Sequence, residues 1–101
     1  YKLAKKEYEV ARLYLKLEEY DSAIIYFRSV LNNYYDTEFS DEARIGIIFT
    51  HILSDNRKGA RRYLKAEKSR FLKSEKYEMA DNLLKDTESG LKIHHYYQLY
   101  K

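Results

Sequence analysis

Proline is absent from all 101 residues, and glycine occurs only at Gly46, Gly59 and Gly90. Tight β-turns draw on these two residue types for their fixed or positive φ angles, so a fold of many strands has almost no punctuation to use here. Helix interiors need none. The chain is therefore read as all-α. Its hydrophobic fraction of 45% beside 35% charged residues is globular and not the aromatic-poor composition of disorder. A chain this short buries roughly two-thirds of its unfolded surface, enough for one core but not two. A single domain over 1–101 follows. Cysteine is also absent, which excludes disulfides, thiol nucleophiles and thiolate-bound metal within these residues.

Hydrophobic periodicity predicts about five helices. The first covers about 2–17, with Leu3, Val10, Ala11, Tyr14 and Leu17 as its apolar stripe. A polar break at Glu18-Glu19-Tyr20-Asp21 precedes a second stripe of Ala23, Phe27, Val30, Leu31 and Tyr34, which folds back on the first as a helical hairpin. Ser40 or Asp41 is the expected N-cap of a third helix over about 41–53. Ile45, Ile47, Ile48, Phe49, Ile52 and Leu53 cover more than one of its faces, as a helix sandwiched at the centre of the core requires. A basic helix over about 57–72 turns Ala60, Tyr63 and Leu64 inward, and a fifth helix carries Tyr77, Ala80, Leu83 and Leu84 toward an expected end near Gly90.

The chain also repeats itself. At a shift of 37 residues Val10 matches Ile47, Tyr14 matches His51, Ala23 matches Ala60 and Phe27 matches Leu64. The pattern of Ala11, Tyr14, the turn at Glu19-Tyr20-Asp21, then Ala23 and Phe27 resembles the tetratricopeptide repeat, in which a small residue lets paired helices approach closely. The resemblance implies a tetratricopeptide-like hairpin array: one repeat at about 2–35, a second at about 40–72, and a capping helix with a tail at 76–101. The family's turn glycine is missing, Glu7 holds its tryptophan position and Tyr35 its closing proline.

Leu3-Ala4, Glu7-Tyr8, Val10-Ala11 and Tyr14, followed by Ala23, Tyr34-Tyr35-Asp36-Thr37 and Asp41-Glu42-Ala43, narrow the likeness. Over about 3–64 the chain resembles the C-terminal repeats of BamD-type lipoproteins of the outer-membrane β-barrel assembly machinery. The resemblance implies an adaptor on the periplasmic face of the outer membrane. Its implied partners are the periplasmic domains of the barrel subunit, other assembly lipoproteins and nascent outer-membrane proteins. Membrane attachment is implied only through an N-terminal lipid anchor that this cysteine-free chain does not carry. An arginine usual in the family is Tyr26 here, with Arg28 the nearest basic substitute. A Tol-Pal-type periplasmic adaptor, or a basic module for anionic lipid or RNA, stands as the alternative.

No catalytic constellation emerges from the sequence. Gly-rich phosphate loops, G-x-S-x-G turns and His-Glu-x-x-His helices are all missing. His51 takes a ring position of the repeat, and adjacent His94 and His95 diverge too far on a helix to chelate one ion. The expectation is a protein that is not an enzyme, without cofactor or metal. Two surfaces qualify for binding. Lys5, Tyr8, Arg12 and Leu15 are expected on the exposed side of the first helix, where they suit an extended peptide. Residues 57–76 hold nine basic side chains against two acidic ones, a field that steers acidic partners. Within it Arg57, Arg61, Arg62, Lys65 and Tyr63 are the expected contacts, with Arg28 and Tyr26 added from the family resemblance. Most tyrosines fall at core spacings, which argues against base stacking and nucleic acid. The tail rings Tyr96, Tyr97 and Tyr100 either close the last apolar face or meet a partner.

Overall fold

The computed structural model of the chain describes residues 2–88, so the expected helix end near Gly90, the histidine pair and the tyrosine tail lie outside the described residues. Five α-helices follow in order: α1 (Lys2–Lys16), α2 (Tyr20–Asn33), α3 (Phe39–Leu53), α4 (Arg57–Glu67) and α5 (Ser74–Glu88). A short 3-10 turn, Lys68–Arg70, ends the basic helix earlier than its charge run suggests. The architecture is an all-α, tetratricopeptide-like array. Hairpin α1–α2 stacks on hairpin α3–α4, and α5 packs against both helices of the second hairpin.

The 37-residue repeat extends to single backbone bonds. After α1, Glu18 has φ 60°, and after α3 its counterpart Asp55 has φ 62°. The Glu19 amide donates to the Tyr14 carbonyl at 2.9 Å, and the Asn56 amide to the His51 carbonyl at 2.7 Å. Amides of Glu18 and Asp55 reach back to Leu15 and Ile52 at 3.1 Å each. Both helices thus end in the same Schellman closure, although neither has the glycine that ordinarily takes the left-handed position. Carbonyl satisfaction outweighs the modest Cβ strain.

Small residues set the helix crossings. Ala23 and Ala60 are fully buried, as their repeat positions predict, and the plugs Phe27 and Leu64 are buried beside them. Gly46 performs a similar service between α2 and α3: a Cβ there would stand 2.5 Å from the Phe27 ring. Helix α3 is buried along nearly its whole length and touches each of the other four helices.

Helix α1 corrects one expectation. Its buried face is Ala4, Tyr8, Ala11 and Leu15, while Leu3, Leu13 and Leu17 are 54–63% exposed. The helix carries two apolar faces, and the one with two alanines admits α2 most closely. Helix α3 also begins at Phe39, ahead of both expected caps, Ser40 and Asp41. Ser40 Oγ donates to the Thr37 carbonyl at 2.8 Å, whose own hydroxyl donates to the Tyr34 carbonyl at 2.8 Å. Asp41, freed from capping its own helix, points toward the start of α5.

Candidate partner-binding surfaces

Asn56 caps α4, its side-chain oxygen accepting the Gly59 amide at 3.0 Å. From that start Lys58, Arg61, Arg62 and Lys65 stand exposed along one side of the helix, around a shallow depression of about 340 Å³. Arg57 opens the same row but is turned inward. Its guanidinium donates to the Thr87 hydroxyl at 3.0 Å and to the Thr87 carbonyl, fastening α4 to α5. Other bases of the run are also engaged within the domain. Lys68 lies 5.5 Å from the Tyr77 ring centroid, Arg70 pairs with Glu67 at 3.0 Å, and Lys76 with Glu42 at 2.6 Å. The usable basic face is narrower than residues 57–76 as a whole.

A second recess lies between α2 and α4, about 520 Å³ in volume. Arg28, Leu31 and Tyr35 form one wall, Tyr63 and Glu67 the other, with Arg44 and Arg70 completing it. Tyr63 is half-buried with its ring 6.5 Å from that of His51, and its hydroxyl is shut off from solvent beside Glu67. Burial, and next the Glu67 carboxylate nearby, push its phenol well above the usual range, so it stays protonated. The equivalent ring pair in the first hairpin is Tyr14 on Tyr26, stacked at 5.3 Å. Tyr26 is thus held against α1 by its ring. Burial, and after it the Arg28 guanidinium, lower the His51 imidazole.

Behind this recess runs an ionic joint that sequence reasoning missed. Arg44 donates to Asp41 at 2.9 Å and to Glu67 at 3.3 Å, and all three residues are buried. Asp41 uses its remaining capacity on backbone, accepting the amides of Leu72 and Lys73 at 2.9 Å each. The chain entering α5 is therefore gripped by a carboxylate from α3. One signal was available: Arg44 lies directly between Ala43 and the apolar run that starts at Ile45 in the central helix, and a charge at such a position needs a buried partner.

The expected peptide surface of α1 is largely corrected. Tyr8 is 7% exposed and Leu15 is 2% exposed, both within the core. Tyr8 packs against Phe27 and Phe39, with centroids at 5.9 and 5.5 Å, and its burial raises its phenol far above normal. Only Lys5 is exposed, while half-buried Arg12 pairs with Glu9 at 3.3 Å and lies over the Tyr8 ring. Choosing the wrong apolar face of α1 placed two core side chains in solvent.

Among the described residues, no cluster of three or more histidines, aspartates or glutamates is placed to hold a metal ion. No described helix is long and apolar enough to cross a membrane. Neither a curated protein nor a solved structure matches the chain. Residues 1–51, from α1 through most of α3, match the family model YfiO, described as outer membrane lipoprotein. That span holds the hairpin, the Tyr34 to Thr37 turn and the Asp41-Glu42-Ala43 start of the second repeat, the segments on which the BamD-type resemblance rests. With its first hairpin and central helix fitted to that model, the chain belongs to the YfiO family of outer membrane lipoproteins.

Proposed function

We propose that this chain is a non-catalytic adaptor in outer-membrane protein assembly, working at the periplasmic face of the outer membrane. It holds the periplasmic domains of the barrel-forming subunit, with other assembly lipoproteins and nascent outer-membrane proteins as further ligands. Family membership supports the setting, and the exposed row Lys58, Arg61, Arg62 and Lys65 supports the mode of binding. The row is the single observation that carries the reading: four cations on one rigid helix suit an acidic protein surface, with arginine forks pairing carboxylates bidentately.

Mixing the chain with the purified periplasmic domains of the cognate barrel subunit tests it. A complex at about 50 μM or tighter, weakened at least roughly tenfold by Arg61→Glu together with Arg62→Glu, is the expected result. No complex at that concentration counts against the adaptor. The same basic row gives the second reading its observation. Binding to vesicles of anionic lipid or to RNA, steeply salt-dependent and lost in the same double variant, with no binding to the protein domains, would replace the adaptor with a surface-binding module.

A further inference from the structure

We propose that the outward face of α1 lies on the surface of an anionic lipid bilayer, its leucines entering the headgroup boundary and its lysines meeting lipid phosphates. Leu3, Leu13 and Leu17 are 63%, 54% and 60% exposed, with half-buried Val10 between them. Their spacing puts them on one side of the helix, away from the buried Ala4, Tyr8, Ala11 and Leu15, in a stripe about 21 Å long. An open apolar stripe of this size on a folded domain marks a surface that something covers. The opposite end of the stack shows that the fold does not require such a face. Helix α5 turns Glu75, Glu78, Asn82 and Lys85 to water, with Met79 as its one exposed large hydrophobic residue among those described.

The border of the stripe says what covers it. Lys2, Lys5, Lys6 and Lys16 are exposed beside it, and the acidic Glu9 is already paired with Arg12. A second copy of the chain would bring lysine against lysine, whichever way the two helices ran. A further hairpin, stacked as the second stacks on the first, would meet Lys6 and Glu9 at the positions of buried Ala43 and of Gly46, where α3 admits the Phe27 ring. A bilayer needs no matching groove. Leucines on a convex helix sink to the headgroup boundary, while flexible lysine stems carry their charges outward to phosphate. Membership of a family of outer membrane lipoproteins puts a bilayer within reach. This face is separate from the basic row of α4, and the inference does not require the assembly role.

The probes are vesicles of about 30% phosphatidylglycerol in phosphatidylcholine and vesicles of phosphatidylcholine alone, each titrated with the full chain. The anionic vesicles are expected to bind at least about tenfold more tightly. The chain has no tryptophan, so Leu13→Trp and, on α5, Met79→Trp make separate reporters. Anionic vesicles should shift the emission of Leu13→Trp to the blue and leave that of Met79→Trp unchanged. Leu13→Asp with Leu17→Asp should weaken binding about tenfold or more, and Lys2→Glu with Lys6→Glu by a similar factor, whereas Arg61→Glu with Arg62→Glu should change it less than about threefold. These positions are all exposed, and melting curves establish that each variant remains folded. No binding to anionic vesicles, an unshifted Leu13→Trp, or binding indifferent to the aspartate pair would each overturn the proposal. Loss of binding in the Arg61 and Arg62 reversal alone would move the lipid to the α4 row, and a dimer in sedimentation that the aspartate pair abolishes would make a second copy the occupant; either result overturns it as well.

Discussion

The two hairpins share a turn, a pair of alanine crossings and a ring pair, yet they join their helices in opposite ways. In the first hairpin the positions that begin and end the contact are Ala4 and Val30, both fully buried and apolar. Thirty-seven residues on, the same positions are Asp41 and Glu67, buried and tied together through Arg44. The difference teaches that the repeat is specified by its turn and its small residues, while the ends of the contact are open to other work. In the second hairpin that work is to seize the incoming chain at Leu72 and Lys73 and so position α5. A buried ion pair is a poor source of net stability compared with apolar packing, but it imposes one geometry.

The comparison breaks most visibly at Asp41. Asp41→Ala makes the second joint resemble the first on one side only, leaving Arg44 with Glu67 alone and stranding two backbone amides. Urea unfolding should register a loss of about 3 kcal/mol. A loss under about 1 kcal/mol would mean that the ionic joint is ornamental. Next come the crossings. Ala23→Leu and Ala60→Leu each add bulk where no space exists, and each should cost about 1–3 kcal/mol. Similar costs would establish that the two crossings are equivalent, and unchanged melting of either variant would refute the register.

How far the sequence reveals this molecule follows from the same contrast. Features fixed within a hairpin were legible: the helices, the alanine crossings, the Phe27 and Leu64 plugs, and the ring at His51 all follow from periodicity and the 37-residue shift. Features that join distant segments were not. Nothing local in Asp41 distinguishes a helix cap from a clamp on residues 31 and 32 places later. The outer face of α1 misled for another reason. Leu3, Leu13 and Leu17 are more hydrophobic than the alanines opposite, but closeness of approach, not hydrophobicity alone, decided which face was buried. Of the candidate binding residues, Lys65, Arg61 and Arg62 sit where periodicity placed them, whereas Arg57 required the partner on α5 to be understood.

Smaller effects sharpen the likeness of the two turns. Glu18→Gly and Asp55→Gly both relieve a left-handed backbone, and thermal melts should show gains of up to about 1 kcal/mol. Glu18→Gly should gain more, since aspartate tolerates this conformation better than glutamate. No gain in either variant would mean that the strain is absent, and equal gains would mean that the two side chains bear it alike. The smallest difference lies in the rings, where the His51 imidazole stands at the position of Tyr14. With its imidazole pKa lowered in the folded state, the unfolded chain binds the proton more readily, so stability should fall as pH drops below about 6.5. His51→Gln should remove that part of the acid sensitivity. A variant with the same pH profile as the parent would refute the assignment.

Helix α3 touches every other described helix, and this centrality bears on how the molecule comes apart. Linear stacks commonly fray from one end, each unit separating only from the neighbour it leans on. Here departure of either flanking element strips the hub itself, leaving a row of isoleucines bare to water. A wheel around one axle is the better picture, and such an arrangement is expected to fail all at once.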